Sequence, residues 1–141
     1  MLLPDVSVLV AAFRDNHPAH AVCRQWLLRT LGQPGQLALS ELVLSGVLRV
    51  VTHPGTPIGG VALDAALEFT NSLVGVRGVA IIRSGPRHWR IFVDLAHATS
   101  TRGAVLSDAY HAAIAIEHRC EWVTLDRDFA RFPGLRWSMP V

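Results

Sequence analysis

Trp122-Val123-Thr124-Leu125-Asp126-Arg127-Asp128-Phe129 is the stretch on which the fold turns. Trp122–Leu125 is short, apolar and rich in β-formers, the pattern of a strand buried on both faces. It stops on acid. In an open α/β sheet, ligands bind beyond the carboxyl ends of the strands, so acids at that position sit where chemistry is expected.

Upstream, Ala109, Ala112, Ala113 and Ile116 line one face of a helix that Ser107 or Asp108 would cap, preceded by a short apolar segment, Ala104–Leu106. Further back, Pro86–Ser100 reads as a helix, Val79–Ile82 as a strand, and Val61–Leu73 as a helix behind a Gly/Pro-rich loop, Pro54–Gly60. Ser40 caps a helix with the inner stripe Leu44, Val47, Leu48 and Val51, which Thr52-His53-Pro54-Gly55 ends. Leu37–Leu39 is a strand after the turn Gln33-Pro34-Gly35. Ala19–Leu31 is a helix, with its start signal at Asn16-His17-Pro18 and its stop at Gly32. The chain opens on a strand, Leu2 to Asp5, and an Asp-Val-Ser turn into Val8–Phe13; Leu135–Trp137 is a last edge strand. Strands alternating with helices predict an α/β domain with a mainly parallel sheet.

At 141 residues, half of them hydrophobic, and a mean hydropathy of +0.32, the chain suits one compact domain rather than a disordered one. The apolar runs are too short to cross a bilayer, and Met1-Leu2-Leu3-Pro4-Asp5 lacks the basic start of a secretory signal. Cys23 and Cys120 stand far apart with no CxxC pairing, which fits a reduced, cytoplasmic protein. All 13 basic residues are arginines. The missing lysine removes a Walker A loop, a Schiff base and the phosphotransfer reading in which Asp5 would be a nucleophile. A pI near 8.9 is compatible with an RNA substrate.

The 11 acids are placed unevenly. Asp5 ends the first strand, Glu41 and Asp108 open helices, and Asp126 ends the strand Trp122–Leu125. Strand ends and the helix starts that follow them share one edge of the sheet, so these residues are expected to converge. Singly, each has an ordinary explanation: an N-cap for Asp108, a favourable helix-dipole contact for Glu41, a turn residue for Asp5 or Asp126. Jointly, gathered carboxylates repel and one takes up a proton unless a cation sits among them. Oxygen ligands without Cys or His favour Mg²⁺ or Mn²⁺.

The joint pattern resembles the PIN-domain family and, within it, the VapC-type toxins of toxin–antitoxin pairs. Leu3-Pro4-Asp5-Val6-Ser7-Val8-Leu9 resembles the opening strand and turn, and His17-Pro18-Ala19-His20 with Trp26-Leu27 a common VapC helix. Ser40-Glu41 resembles the second acidic position, Ser107-Asp108-Ala109 with Ala112-Ala113 and Ala115 the third, and Thr124-Leu125-Asp126-Arg127-Asp128-Phe129 the family's closing signature. The resemblance implies a three-layer α/β/α sandwich over residues 1–141 as a single PIN domain. It implies a metal-binding quartet of Asp5, Glu41, Asp108 and Asp126, with Asp128 as a nearby fifth acid and Ser7 and Thr124 behind the ligands. Of Asp126 and Asp128, which would share a side only if the strand continued that far, Asp126 is expected to lie closer to the metal. The implied activity is Mg²⁺-dependent (Mn²⁺ possible) endoribonuclease cleavage leaving a 5′-phosphate and a 3′-hydroxyl. The implied partners are an RNA substrate, a VapB-type antitoxin and a second protomer, with no membrane. The alternative of another class is a catalytically silent PIN-like module that binds RNA or protein.

Two histidine pairs, His17 with His20 and His111 with His118, lack structural-zinc spacing, and the first pair is expected to be exposed. Trp26, Trp89, Trp122 and Trp137 read as core or interface residues. Arg14, Arg83, Arg87, Arg90 and Arg102 are candidate RNA contacts, with Ile82–Trp89 the favoured contacting loop.

Overall fold

The computed structural model describes residues 1–55 and 59–141, so part of the expected 54–60 loop lies outside the described residues. The elements are β1 (Leu2–Pro4), α1 (Val6–Phe13), α2 (His20–Leu31), β2 (Ala38–Ser40), α3 (Glu41–Val51), α4 (Leu63–Val74), β3 (Ala80–Ile82), α5 (His88–Thr99), α6 (Val105–Glu117), β4 (Glu121–Val123) and β5 (Trp137–Ser138). A single 3₁₀ turn, Arg127–Arg131, follows β4.

All strand pairs are parallel: β1 with β4, β4 with β5, and β2 with β3. A bridge between Leu2 and Leu37 joins the two ladders, giving the order β3-β2-β1-β4-β5. The chain therefore builds leftward from β1 through β2 to β3, then returns across the sheet to β4. Right-handed crossovers put α1–α4 on one face and α5 and α6 on the other. The packing agrees, with α1 against α2 and α3, α3 against α4, and α5 against α6. This is the expected three-layer α/β/α arrangement. The core runs through the sheet from Leu3, Leu37, Leu39, Trp122 and Val123 to Val8, Val43 and Val47 on one side and Ile114 on the other, all 2 % exposed or less.

Several boundaries differ from expectation. Helix α6 begins at Val105, so Ala104–Leu106 is no separate segment, and its N-cap is Ala104, without a side-chain cap. Asp108 lies inside the first turn instead of capping it. Helix α2 starts at His20, after a turn, one residue later than the expected Ala19. Helix α1 starts directly after Asp5, with no intervening turn. Strand β4 stops at Val123, so the alternation of a strand does not govern Asp126 and Asp128. Where the expectation was a side-chain cap at Ser40, Ser40 Oγ accepts from Leu42 N at 3.2 Å. Helix α1 crosses close to α3 at Gly46, where a Cβ would stand 2.8 Å from Val6 Cγ2.

Candidate active site

The return from β3 to β4 makes the β1/β4 boundary the place where strand order reverses. Crevices at such a switch point, beyond the strand ends, are where open α/β sheets bind ligands. Asp5 N donates to Val123 O at 2.8 Å, locking the end of β1 to that of β4. Asp5 is the N-cap residue of α1, yet its side chain makes no cap bond. Instead Asp5 Oδ2 accepts from Ser7 Oγ at 2.9 Å and from buried Thr124 Oγ1 at 2.6 Å. Each hydroxyl is itself hydrogen-bonded from behind: Ser7 Oγ accepts from Leu125 N at 3.3 Å, and Thr124 Oγ1 from Asp126 N at 3.0 Å. A hydroxyl has one proton to give, so both protons point at Oδ2. Asp5 is thereby fixed, with Oδ1 as the oxygen left for a ligand.

Asp108 is half-buried, one turn into α6. Burial holds its carboxyl above the ordinary range, Asp5 and Asp126 push it further up, Arg131 opposes, and Asp128 adds to the rise. Asp126 Oδ1 accepts from Asp128 N at 2.8 Å, capping the 3₁₀ turn. Asp128 is exposed and bound to Arg131, Oδ2 to Nη2 at 2.9 Å. Its charge is therefore met, whereas Asp126 has no ion pair among the described residues.

Glu41 behaves differently. It follows β2 directly, beside β1, but its carboxylate is gripped by Arg83: Nε to Oε2 at 2.6 Å and Nη2 to Oε1 at 2.5 Å. These hydrogen bonds pull the Glu41 carboxyl below the ordinary range. None of the other acids in question contributes to that shift, and Glu41 is absent from the groups that perturb Asp108. The structure thus brings Asp5, Asp126 and Asp128 within electrostatic reach of Asp108, and sets Glu41 one strand aside. Glu41 still borders a cleft of about 300 Å³ whose opposite wall is Tyr110 and Ile114 of α6.

Among the described residues, no group of three or more His, Cys, Asp or Glu side chains is close enough to hold a metal ion outright. The donor set nonetheless suits a hard dication. Magnesium takes one or two carboxylates and keeps several waters, and Asp5 Oδ1, Asp108 and Asp126 Oδ2 are all oxygens without a hydrogen bond among the described residues. Zinc has no such set. His118 Nε2 bonds Arg83 O at 2.7 Å, while His111 stacks on Trp122 with ring centroids 5.4 Å apart. Burial holds His111 below its ordinary range, against a smaller pull from Asp5. His20 is half-buried on Ala11 O at 2.9 Å, not exposed as expected.

Sequence reasoning missed three participants. Arg83 was taken for an RNA contact and is the partner of Glu41. Glu117 drew no notice, yet it is 7 % exposed and accepts from Gly85 N at 2.7 Å and Arg87 N at 2.9 Å. Arg131, which moderates Asp108, also drew none. The expected RNA-contacting loop is accordingly pinned to the end of α6, and Arg87 Nη2 is used on Glu117 O at 2.8 Å. Arg14 is 8 % exposed and reaches Val51 O at the end of α3, so it lines no open RNA path. Trp89, at 68 % exposure, is the tryptophan that does not belong to the core.

A three-layer α/β sandwich with acids beside its switch point is the class that this geometry defines. The PIN domain family matches residues 2–135. Over 141 residues the chain is 36 % identical to VapC ribonuclease Mb2897 of Mycobacterium bovis, covering all of this chain and 96 % of that protein. It is also 36 % identical to ribonuclease VapC25 of Mycobacterium tuberculosis, covering 99 % of each. The chain therefore belongs to the PIN-domain family, among the VapC ribonucleases. Solved structures agree on the fold: VapBC2 from Rickettsia felis, bound to a DNA fragment from their promoter, superposes with a TM-score of 0.72 at 16 % identity, covering 98 % of this chain and 97 % of that one. Mycobacterium tuberculosis VapC20, a Sarcin-Ricin loop cleaving toxin, gives 0.67 at 14 % identity, covering 96 % of this chain and 99 % of that one. No described helix is long and apolar enough to cross a membrane.

Proposed function

We propose that this chain is a VapC-type toxin, an endoribonuclease that hydrolyses RNA phosphodiester bonds with Mg²⁺ or Mn²⁺. Residues 1–141 act as one PIN domain, neutralised by a VapB-type antitoxin and paired as a homodimer. The observation that carries this reading is the fixing of Asp5 at the β1/β4 switch point by Ser7 and Thr124, which leaves one carboxylate oxygen, unbonded among the described residues, beside Asp108, whose carboxyl is raised by burial, Asp5 and Asp126. A silent binding module would have no use for that repulsion, and the curated relatives are named as ribonucleases.

In this reading Asp5, Asp108 and Asp126 hold the cation, Glu41 joins them, and Asp128 stays with Arg131. A bound divalent cation supplies a more acidic water and offsets charge on the phosphate. The protein's own work is positional. Ser7 and Thr124 keep Asp5 from rotating and occupy Oδ2, so Oδ1 is the oxygen left for the cation. The 3₁₀ turn fixes Asp126 through Asp128 N on Oδ1, leaving Oδ2 as the oxygen available to the cation. No side-chain nucleophile is needed. Cleavage of an RNA substrate by Asp5→Asn and Asp108→Asn in Mg²⁺ tests the assignment. Loss of cleavage in both is expected, and full activity in both rules it out.

A further inference from the structure

Glu41 is the one acid of the proposed quartet that already has a full counter-ion. Strands β2 and β3 pair in parallel with Ser40 opposite Ile82, so the next residues, Glu41 and Arg83, leave the sheet side by side. The guanidinium meets the carboxylate with two donors in its planar fork, the geometry that best satisfies both oxygens. Arg83 is also held from behind, since its carbonyl contacts His118 Nε2 at 2.7 Å. Glu41 therefore has both oxygens engaged. It faces, across the cleft, the helix that carries Asp108. Continuing the register of the Leu2–Leu37 bridge by three residues brings Asp5 level with Ser40. The Glu41 backbone is thus next to the acid group while its charge is turned away.

We propose that Arg83 is a positioning residue that sets the metal affinity of the site by competing with the cation for Glu41. The proposal rests on the metal-site reading above. Without metal, Arg83 holds Glu41 aside and spares the β1/β4 acids one more negative charge. When the cation binds, Glu41 exchanges the fork for it, and Arg83 is freed at the mouth of the same cleft. The pair is 68 and 54 % exposed, so it is weak enough to exchange.

The test is a titration of the metal-free full chain with Mn²⁺, without RNA, followed by EPR of the free ion, in Arg83→Gln, Glu41→Gln and the double variant. Arg83→Gln is expected to tighten Mn²⁺ binding by about two- to fivefold, the range an exposed ion pair implies. Arg83→Lys, which keeps the charge but loses the fork, is expected to fall between Arg83→Gln and the parent. The gain must vanish in the Glu41→Gln background. If Arg83→Gln leaves affinity unchanged or weaker, or tightens it equally without Glu41, the competition is overturned. Failure of the parent reading looks different: Asp5→Asn and Asp108→Asn would then leave Mn²⁺ binding intact. Both residues of the pair are exposed, and circular dichroism of each variant checks that the fold is retained.

Discussion

The described residues carry two kinds of acid. On the β2/β3 side, Glu41 is matched by Arg83, and Glu117 is matched by two backbone N–H groups of the α5 entry loop. On the β1/β4 side, Asp5 and Asp126 act on Asp108, and the arginine that opposes them, Arg131, is paired with Asp128. The first half is satisfied internally in the metal-free protein, Glu41 by a pair exposed enough to exchange and Glu117 by buried backbone. The second leaves charge unmet, which a stable fold would not select for unless something else met it. The difference between the halves, more than the number of acids, marks the site.

The most forceful way to break this comparison is to neutralise one acid in each half. Asp5→Asn and Asp108→Asn are expected to lower RNA cleavage on the order of 10²–10³-fold or more, with the fold intact by circular dichroism. Glu117→Ala should do the opposite, costing stability while leaving the chemistry in place. Removing its carboxylate strands the N–H groups of Gly85 and Arg87, a loss of roughly 2–3 kcal/mol by denaturant unfolding. The Glu117 carboxyl sits below its ordinary range: burial pushes it up, but the two N–H groups, His118 and His88 outweigh that. A depressed carboxyl gives stability above its unfolded pKa and loses it as pH falls through the folded one. The Glu117→Ala deficit should therefore shrink in acid. A nuclease defect from Glu117→Ala as deep as that of Asp5→Asn would erase the distinction.

A smaller effect is expected from the group that aims Asp5. Thr124→Val keeps the buried volume but removes one of two hydroxyls on Oδ2, and leaves Asp126 N without its acceptor. Metal affinity should fall about tenfold, the low end for residues that orient a ligand. Mn²⁺ titration checks this.

The order of strands and helices was legible because hydrophobic period and turn residues are local properties. So was the placement of Asp5 just past the first strand and of Glu41 at a helix start, since that follows from where an apolar run stops or begins; Asp126 instead lies three residues beyond the end of β4, as the cap of the 3₁₀ turn. What resisted reading depends on pairings far apart in sequence. Glu41 and Arg83 are 42 residues apart and become neighbours only through the β2–β3 register; Gly85 and Glu117, 32 apart, meet only once α6 is docked. Asp108 was misread locally: an acid after a serine resembles a cap, but Val105 and Leu106 carry the helix one turn further back, where no polar cap is needed to start it. That error hid the distinction that matters, because a carboxylate inside the first turn is free of capping duty.

The subtlest difference between the halves lies in pH. A carboxyl raised in the fold, as burial and then Asp5 and Asp126 raise Asp108, contributes stability fully below its unfolded pKa and loses it as pH rises through the folded value. At neutral pH and without metal, Asp108 is therefore a net liability. Asp108→Asn should be more stable than the parent there, by less than about 1 kcal/mol because the group is only half-buried. The advantage should vanish in acid. Saturating Mn²⁺ should reverse the order at neutral pH, since a cation bound only by the folded parent raises its melting temperature, while the variant has lost a ligand. Melting curves of both proteins at two pH values, with and without Mn²⁺, give the comparison. If Asp108→Asn destabilises the metal-free protein at neutral pH, the β1/β4 half is as well neutralised as the other, and the contrast drawn between them fails.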